Sequence, residues 1–411
     1  MFYKRIQDKL IELSISLFFL IFYINLIIDD GINWGLNIIL IFLFLILSIQ
    51  RKIKFDWYLF AFIVPPFILI YCLDYLLFKD QISTDPHFNK NIAPEMVNHY
   101  LYALPLLLLP TALYSIKNIR ITYVKIINFT IIVSVFFNAY INYFYELNRG
   151  FLARKFEAII LYDGSIASLS IIALTLNMRK KNTTSFIFVI LSLINLYLII
   201  LHGSRGTWLG IPVALLIIIV FYFKKNNNKS ITVIASCILL TTLSLIIPNN
   251  PITNRIDDFN NDKKSLQTSS YHSSTGQRVF LWSFSIENFY KSPIYGSGIK
   301  TIKDNICEQK KLGFIPECHS HVHNIFLQLL ATNGLLGFLG ILFVFITPLI
   351  LYIRNLFNND DLTQDFAIAG LSFTIFFLIC GMTDFMFYFS FSTMFYFLTT
   401  SALITLIRNK V

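Results

Sequence analysis

Residues 10–28 read LIELSISLFFLIFYINLII, an apolar run interrupted by one charge, Glu12. A helix crossing the hydrocarbon core of a bilayer needs about 20 mostly apolar residues, and this run supplies them. Lys4, Arg5 and Lys9 precede it. The run is longer than a signal-peptide core and no small-residue cleavage site follows, so it reads as a retained helix. Working outward, the same pattern recurs near 34–49, 57–78, 97–116, 126–146, 158–177, 184–201, 207–223, 231–248, 324–352, 365–382 and 387–407. Twelve spans are expected, the tenth long enough to tilt or to start as a partly buried segment. The fold class is therefore an all-α integral membrane protein.

Composition agrees. Of 411 residues 56% are hydrophobic and 14% charged, whereas soluble domains carry roughly a quarter charged residues. The net charge of +10 is dispersed in short clusters between apolar runs, which argues against a nucleic-acid partner and for membrane topology. With the N-terminus in the cytoplasm, Arg51, Lys52 and Lys54 fall inside, as do Lys117, Arg120 and Lys125, then Arg179, Lys180 and Lys181. Lys224, Lys225, Lys229, Arg354, Arg408 and Lys410 agree. Every inner connection is basic, as the positive-inside rule requires.

The exceptions carry the functional signal. Short outer connections hold Arg149, Arg154, Lys155 and Arg205. One reading is local pairing, Arg154 with Glu157 for example, or snorkelling to lipid head groups. The other is an anionic substrate bound at the outer boundary. Residues 249–322 form the one long hydrophilic segment, dividing the chain into spans 1–248, an outer loop and spans 323–411. Inside this loop a helix is expected over Thr275 to Tyr290, capped by Ser274 and Gln277 at capping-box spacing. Its face of Val279, Trp282, Ile286, Phe289 and Tyr290 would rest on the membrane or the bundle. Arg278 falls in the first turn, where the helix dipole disfavours a cation unless an anionic ligand offsets it. Tyr295-Gly296-Ser297-Gly298 reads as a flexible turn. Cys307 and Cys318 lie in the same loop, where an oxidising compartment permits a disulfide; two free thiols are the other reading.

Cys318-His319-Ser320-His321-Val322-His323-Asn324 leads into the tenth span. Imidazole and thiolate are zinc ligands, but the alternation suits a strand better than a nascent helix and no HExxH pattern occurs. No metal and no cofactor are assigned. His319 and His321 read as structural or interfacial. His323 opens the outer end of a helix, where a ring titrating near neutrality can accept a proton from a sugar hydroxyl. Gly334, Gly337 and Gly340 allow close helix approach or an unwound, re-entrant turn.

These residues resemble a family. His323-Asn324 followed after nine residues by Gly334 and then Gly337 resembles the signature of O-antigen ligases. Leu201-His202-Gly203-Ser204-Arg205-Gly206-Thr207-Trp208 is similar to that family's Ser-Arg-Gly segment, Gly276-Gln277-Arg278 to its loop Arg motif, and Ser292-Pro293-Ile294-Tyr295-Gly296-Ser297-Gly298 to its Pro- and Gly-rich turn. The resemblance implies a GT-C-like membrane fold whose outer loop is periplasmic and contains helices. It implies a donor glycan on undecaprenyl pyrophosphate, a lipid A–core acceptor, and a bacterial inner-membrane setting with both termini cytoplasmic. His323, Arg205 and Arg278 are then the catalytic candidates. Arg205, Arg278, Asn324, Arg149 and Arg154 are the substrate-binding candidates, although the resemblance does not itself extend to Arg149 and Arg154. An O-antigen polymerase, or a transporter of anionic or lipid-linked solutes, are the alternatives.

Overall fold

Long apolar runs with few charges leave the backbone one way to satisfy its own polar groups in lipid, the α-helix. The computed structural model describes residues 2–28, 53–83, 99–144 apart from 115 and 117, 159–246, 262 and 271–409. Among the described residues the regular structure is wholly helical. In chain order α1 is Phe2–Ile28 and α2 Trp57–Pro66, continued by a π-helical turn Phe67–Cys72 into α3, Leu73–Ser83. A 3-10 turn Leu104–Leu108 and α4, Leu109–Leu113, precede α5, Ile119–Phe144. Then come α6 Ile159–Met178, α7 Thr183–Ile200, α8 Arg205–Tyr222 and α9 Asn227–Ile246. The segment between α9 and α12 supplies α10 Ser274–Lys291 and α11 Ile299–Lys311, and α12 Ile325–Asn355, α13 Asp361–Thr383 and α14 Ser390–Arg408 complete the bundle.

Nine helices among the described residues are long and apolar enough to cross a membrane. The remaining expected spans divide three ways. Residues 34–49 lie outside the described residues, and 231–248 corresponds to α9, which starts earlier and is described to Ile246. Residues 97–116 hold only a shorter apolar stretch, His99–Leu113. Pro105 and Pro110 stand at the starts of the 3-10 turn and of α4. A proline offers no N–H and clashes with the preceding turn, so this stretch breaks.

The centre of the bundle is α6, every residue of which is buried, flanked by α7, α8 and α13. At one end the polar groups are spent on ties. Arg179, after α6, meets Asp361 at 2.6 Å and Asp365 at 2.8 Å on α13, and Tyr222 of α8 donates to Asp365 at 2.6 Å. Arg120 pairs with Asp360 at 2.7 Å, and Arg408 with Asp56 at 2.5 Å. These pairs lock the ends of α5, α6, α8 and α13 together and tie α14 to the start of α2, while Arg205, Arg278 and the histidines 319, 321 and 323 gather at the opposite end.

There α10 and α11 fold onto the start of α12 around a small second core of Leu281, Phe284, Ile302, Ile306, Ile315 and Val322. One expectation changes. The cap of α10 is Ser273, whose Oγ accepts the Gly276 N–H at 3.1 Å, and not Ser274. Leu281, Phe284, Ser285 and Asn288 face the bundle, while Val279, Trp282 and Phe289 are half-buried and Ile286 and Tyr290 exposed. Cys307 and Cys318 are joined as a disulfide, which ties α11 to the segment leading into the histidines.

α12 breaks at Gly334, whose φ of +63° and ψ of −155° are not helical. The break frees backbone groups on both sides, and the turn after α10 takes them up. Leu335 N donates to Pro293 O at 2.8 Å, while Ser297 N and Gly298 N donate to Ala331 O and Thr332 O at 3.0 and 2.9 Å. The glycine-rich turn expected to be flexible is therefore pinned into the helix break. A Cβ at Gly334 would lie 2.5 Å from the Ile294 carbonyl, in a left-handed conformation besides. Gly334→Ala should lower stability by about 1–3 kcal/mol, read as a lower thermal midpoint in detergent; an unchanged midpoint would contradict this account of the break.

Candidate active site

The site is organised by an acid that follows an apolar helix. Asp384 closes α13, its carboxylate 7% exposed. A buried carboxylate must be hydrogen-bonded and paired. Asp384 Oδ1 accepts the Phe385 N–H at 2.8 Å, lies 3.1 Å from His323 Nδ1 and 3.7 Å from His321 Nδ1. Burial works to raise its pKa, but His323, His321 and Arg278 outweigh it and hold the carboxyl well below the usual carboxylate range.

His323 is the single non-glycine residue with positive φ among the described residues, at +53°. That region is uncommon for a side chain of this size and persists only where neighbours enforce it. They do so on both sides. Val322 N donates to Gln328 Oε1 at 2.9 Å. Asn324 caps α12, its Oδ1 accepting the N–H groups of Phe326 and Leu327 at 2.9 and 3.1 Å, while its Nδ2 donates to Met382 O at 3.0 Å. The side chain of Asn324, a substrate-binding candidate, thus fastens the start of α12 to the end of α13. That fastening brings His323 against Asp384.

His319 and His321 also enter the cluster. His319 Nδ1 lies 3.3 Å from His323 Nε2, and its own Nε2 is 2.5 Å from Gln277 Oε1. His321 Nδ1 accepts the His323 backbone N–H at 3.2 Å, and its ring lies against Tyr388. Burial, then the neighbouring His323, lowers the pKa of His319 to about 4 and of His321 to about 3. His321, His323 and Asp384 bring one possible metal-ligand atom each within 4.8 Å of one another. Those atoms are already engaged with each other and with a backbone N–H, so the arrangement is that of an oriented base better than of an ion cage.

The first turns of α10 link this cluster to Arg205. Arg205 opens α8, and its Nη1 donates to Asp262 Oδ2 at 2.5 Å and to Thr275 Oγ1 at 3.2 Å. Thr275 also donates to Asp262 at 2.6 Å. Burial tends to raise the Asp262 pKa, but hydrogen bonds from Thr275 and Arg205 overcome it and the net shift is downward. Two residues after Thr275, Gln277 reaches His319, and Arg278 acts on Asp384, His319 and His321 by its charge. Arg278 is the fifth residue of α10, one residue further in than expected. Gly206 brings α8 against the end of α13, since a Cβ there would lie 2.2 Å from Thr383 Oγ1. Arg205 and Asp384 thus each adjoin a residue of one glycine-mediated contact. Arg149 and Arg154 lie outside the described residues.

Several polar residues here escaped the sequence reading. Asp163 in α6 and His202 form a sealed pair at 2.7 Å beneath the turn that carries Arg205. Asp74 accepts from Asn333 at 3.4 Å beside the α12 break. For Asp163, Asp74 and Asp384 the available signal was a lone acid inside or at the edge of an apolar run. Asp262 stands among other polar loop residues and offered none.

Proton linkage gives a test of this geometry. His319 and His321 have folded-state pKa values of about 4 and about 3, against roughly 6.5 for an unfolded histidine. Between those values the unfolded chain binds more protons, so stability falls as pH drops from about 6.5 toward 3. Depression of the Asp384 pKa adds a further loss below about 4. His321→Asn should flatten the decline of thermal midpoint between pH 6.5 and 4; an unaltered slope would contradict the burial of a neutral His321.

Comparison with known proteins places this geometry. Residues 186–342 match the family model described as O-antigen ligase, a stretch that runs from α7 into α12 and holds Arg205, Arg278, His323 and Asn324 but not Asp384. An uncharacterised protein of Haemophilus influenzae (strain ATCC 51907 / DSM 11121 / KW20 / Rd) is 25% identical over 390 residues, covering 89% of this chain and 91% of that one. A multi-pass helical bundle with this match over residues 186–342 supports membership of the O-antigen ligase superfamily, a group of membrane ligases and polymerases.

Proposed function

We propose that the protein is an O-antigen ligase, moving O-polysaccharide from undecaprenyl pyrophosphate to a sugar hydroxyl of lipid A–core. The reaction takes place at the periplasmic face of the bacterial inner membrane, with both termini cytoplasmic. The observation that carries this reading is His323, held in a left-handed conformation with Nδ1 on the buried Asp384 and with Arg278 acting on the same cluster. Asp384 accepts the Nδ1–H, which leaves Nε2 as the basic atom and stabilises the imidazolium that forms.

The acceptor hydroxyl attacks the anomeric carbon and its proton passes to His323 Nε2. The C–O bond to phosphate breaks, its electron pair leaves with undecaprenyl pyrophosphate, and the anomeric configuration inverts. The leaving group needs charge stabilisation. Arg278 and Arg205 offer planar forks for phosphate oxygens, and the N-terminus of α10 adds its dipole. Arg205 would exchange Asp262 for the pyrophosphate. No nucleotide or metal is required in this scheme, because the donor is already activated and two guanidinium groups carry the charge. An apolar groove of about 480 Å³ lined by Trp208, Ile211, Leu215 and Ile238 starts within one turn of Arg205 and suits a prenyl chain.

The test is purified protein in nanodiscs with lipid-linked O-polysaccharide and lipid A–core, and no added nucleotide or divalent metal. Capped lipopolysaccharide is the expected product. His323→Ala should abolish it, Asp384→Asn should lower kcat by about 100-fold or more, and Arg278→Lys should be poor because a point charge does not replace a fork. Longer lipid-linked chains without transfer to core would make the protein a polymerase. Substrate movement with no glycosidic product would make it a transporter.

A further inference from the structure

The transfer step uses one histidine of three, and the contacts of His319 are specific enough to assign it work. Gln277 Nε2 donates to the His272 carbonyl at 3.3 Å, which orients the amide and leaves Oε1 facing His319 Nε2 at 2.5 Å. A carbonyl oxygen only accepts, so His319 Nε2 carries the hydrogen and Nδ1 of the neutral ring is a lone pair. That lone pair faces His323 Nε2 at 3.3 Å. On its other side His323 Nδ1 donates to Asp384. When His323 is neutral, two lone pairs meet across the 3.3 Å gap. The contact becomes a hydrogen bond only when His323 Nε2 bears a proton.

We propose that His319 is a positioning residue for the transfer reaction, its Nδ1 receiving the Nε2–H of His323 after that atom has taken the acceptor's proton. The chain Gln277, His319, His323, Asp384 is then fully hydrogen-bonded in the imidazolium state and frustrated in the neutral one. The arrangement favours the state that glycosyl transfer produces, and the proton returns to solvent once product leaves. Charged groups facing His319 are His323, Glu317, Arg278 and Asp384. Burial keeps His319 itself neutral at working pH, so it does not compete for the proton. The inference rests on the glycosyl-transfer reading of this site.

The discriminating variants are His319→Asn and His319→Gln. Asparagine places an acceptor oxygen near the position of Nδ1, whereas glutamine reaches toward the position of Nε2. A hydrogen bond to a charged group is at stake, so His319→Gln and Gln277→Leu should lower kcat about 10- to 100-fold with KM changed less than about twofold. His319→Asn should recover at least several-fold of that loss. Equal loss in the Asn and Gln variants, or a rise in KM with kcat unchanged, would overturn the role. Separately from turnover, 15N NMR of histidine-labelled protein should show His319 protonated at Nε2 and bare at Nδ1; an Nδ1–H tautomer would overturn it too. Failure of the wild-type protein to form any glycosidic bond would instead overturn the functional reading beneath it, and this role with it.

Discussion

A carboxylate buried at the end of a membrane helix has to be answered by cations or donors, and Asp384 sets that demand for the end of the bundle that holds the site. Left unpaired, such a charge costs several kcal/mol even after relaxation. The bundle answers it with the Phe385 backbone N–H, the His323 ring and the field of Arg278. Because α13 is fixed by its neighbours, the carboxylate cannot move to its partners; the partners come to it. His323 adopts an unfavourable backbone conformation to do so, and Asn324 holds the adjoining chain ends together. Strain at His323 and charge at Asp384 are thus two sides of one constraint.

The two ends of the bundle spend their charges differently. At one end Arg179, Arg120 and Arg408 are matched by Asp361, Asp365, Asp360 and Asp56 in direct pairs that tie helix termini. At the other, arginines meet an acid on a loop, Asp262, and a histidine–aspartate set threaded through the first turns of α10. The first kind of arrangement resists change. The second can exchange a protein carboxylate for a ligand phosphate, as the proposed pyrophosphate leaving group would require. The disulfide between Cys307 and Cys318 and the turn lodged in the Gly334 break hold the loop carrying these groups in register with the bundle.

Much of this was legible because lipid imposes a length and a composition on each span, and nine helices among the described residues fulfil it. What escaped was three-dimensional. The stretch 97–116 is apolar enough to span, yet Pro105 and Pro110 shorten it, and hydropathy does not weigh a missing N–H. α11 passed unnoticed although Ile299, Ile302 and Ile306 have helical spacing, because lysines and acids dilute its apolar face. His323, Arg278 and Arg205 were marked by residue type and position, whereas Asp384, 61 residues beyond His323, belongs to the site through folding alone. His319 read as structural from sequence; only contacts at 3.1 to 3.3 Å show it linked through His323 to an acid.

The most direct test is a cryo-electron microscopy structure of the protein in nanodiscs with undecaprenyl pyrophosphate, the proposed leaving group. The account predicts pyrophosphate density against Arg278 and Arg205, with Arg205 parted from Asp262 and His323 still on Asp384. Density at the opposite end among Lys181, Lys224 and Lys225, with Arg205 and Asp262 still paired, would contradict it.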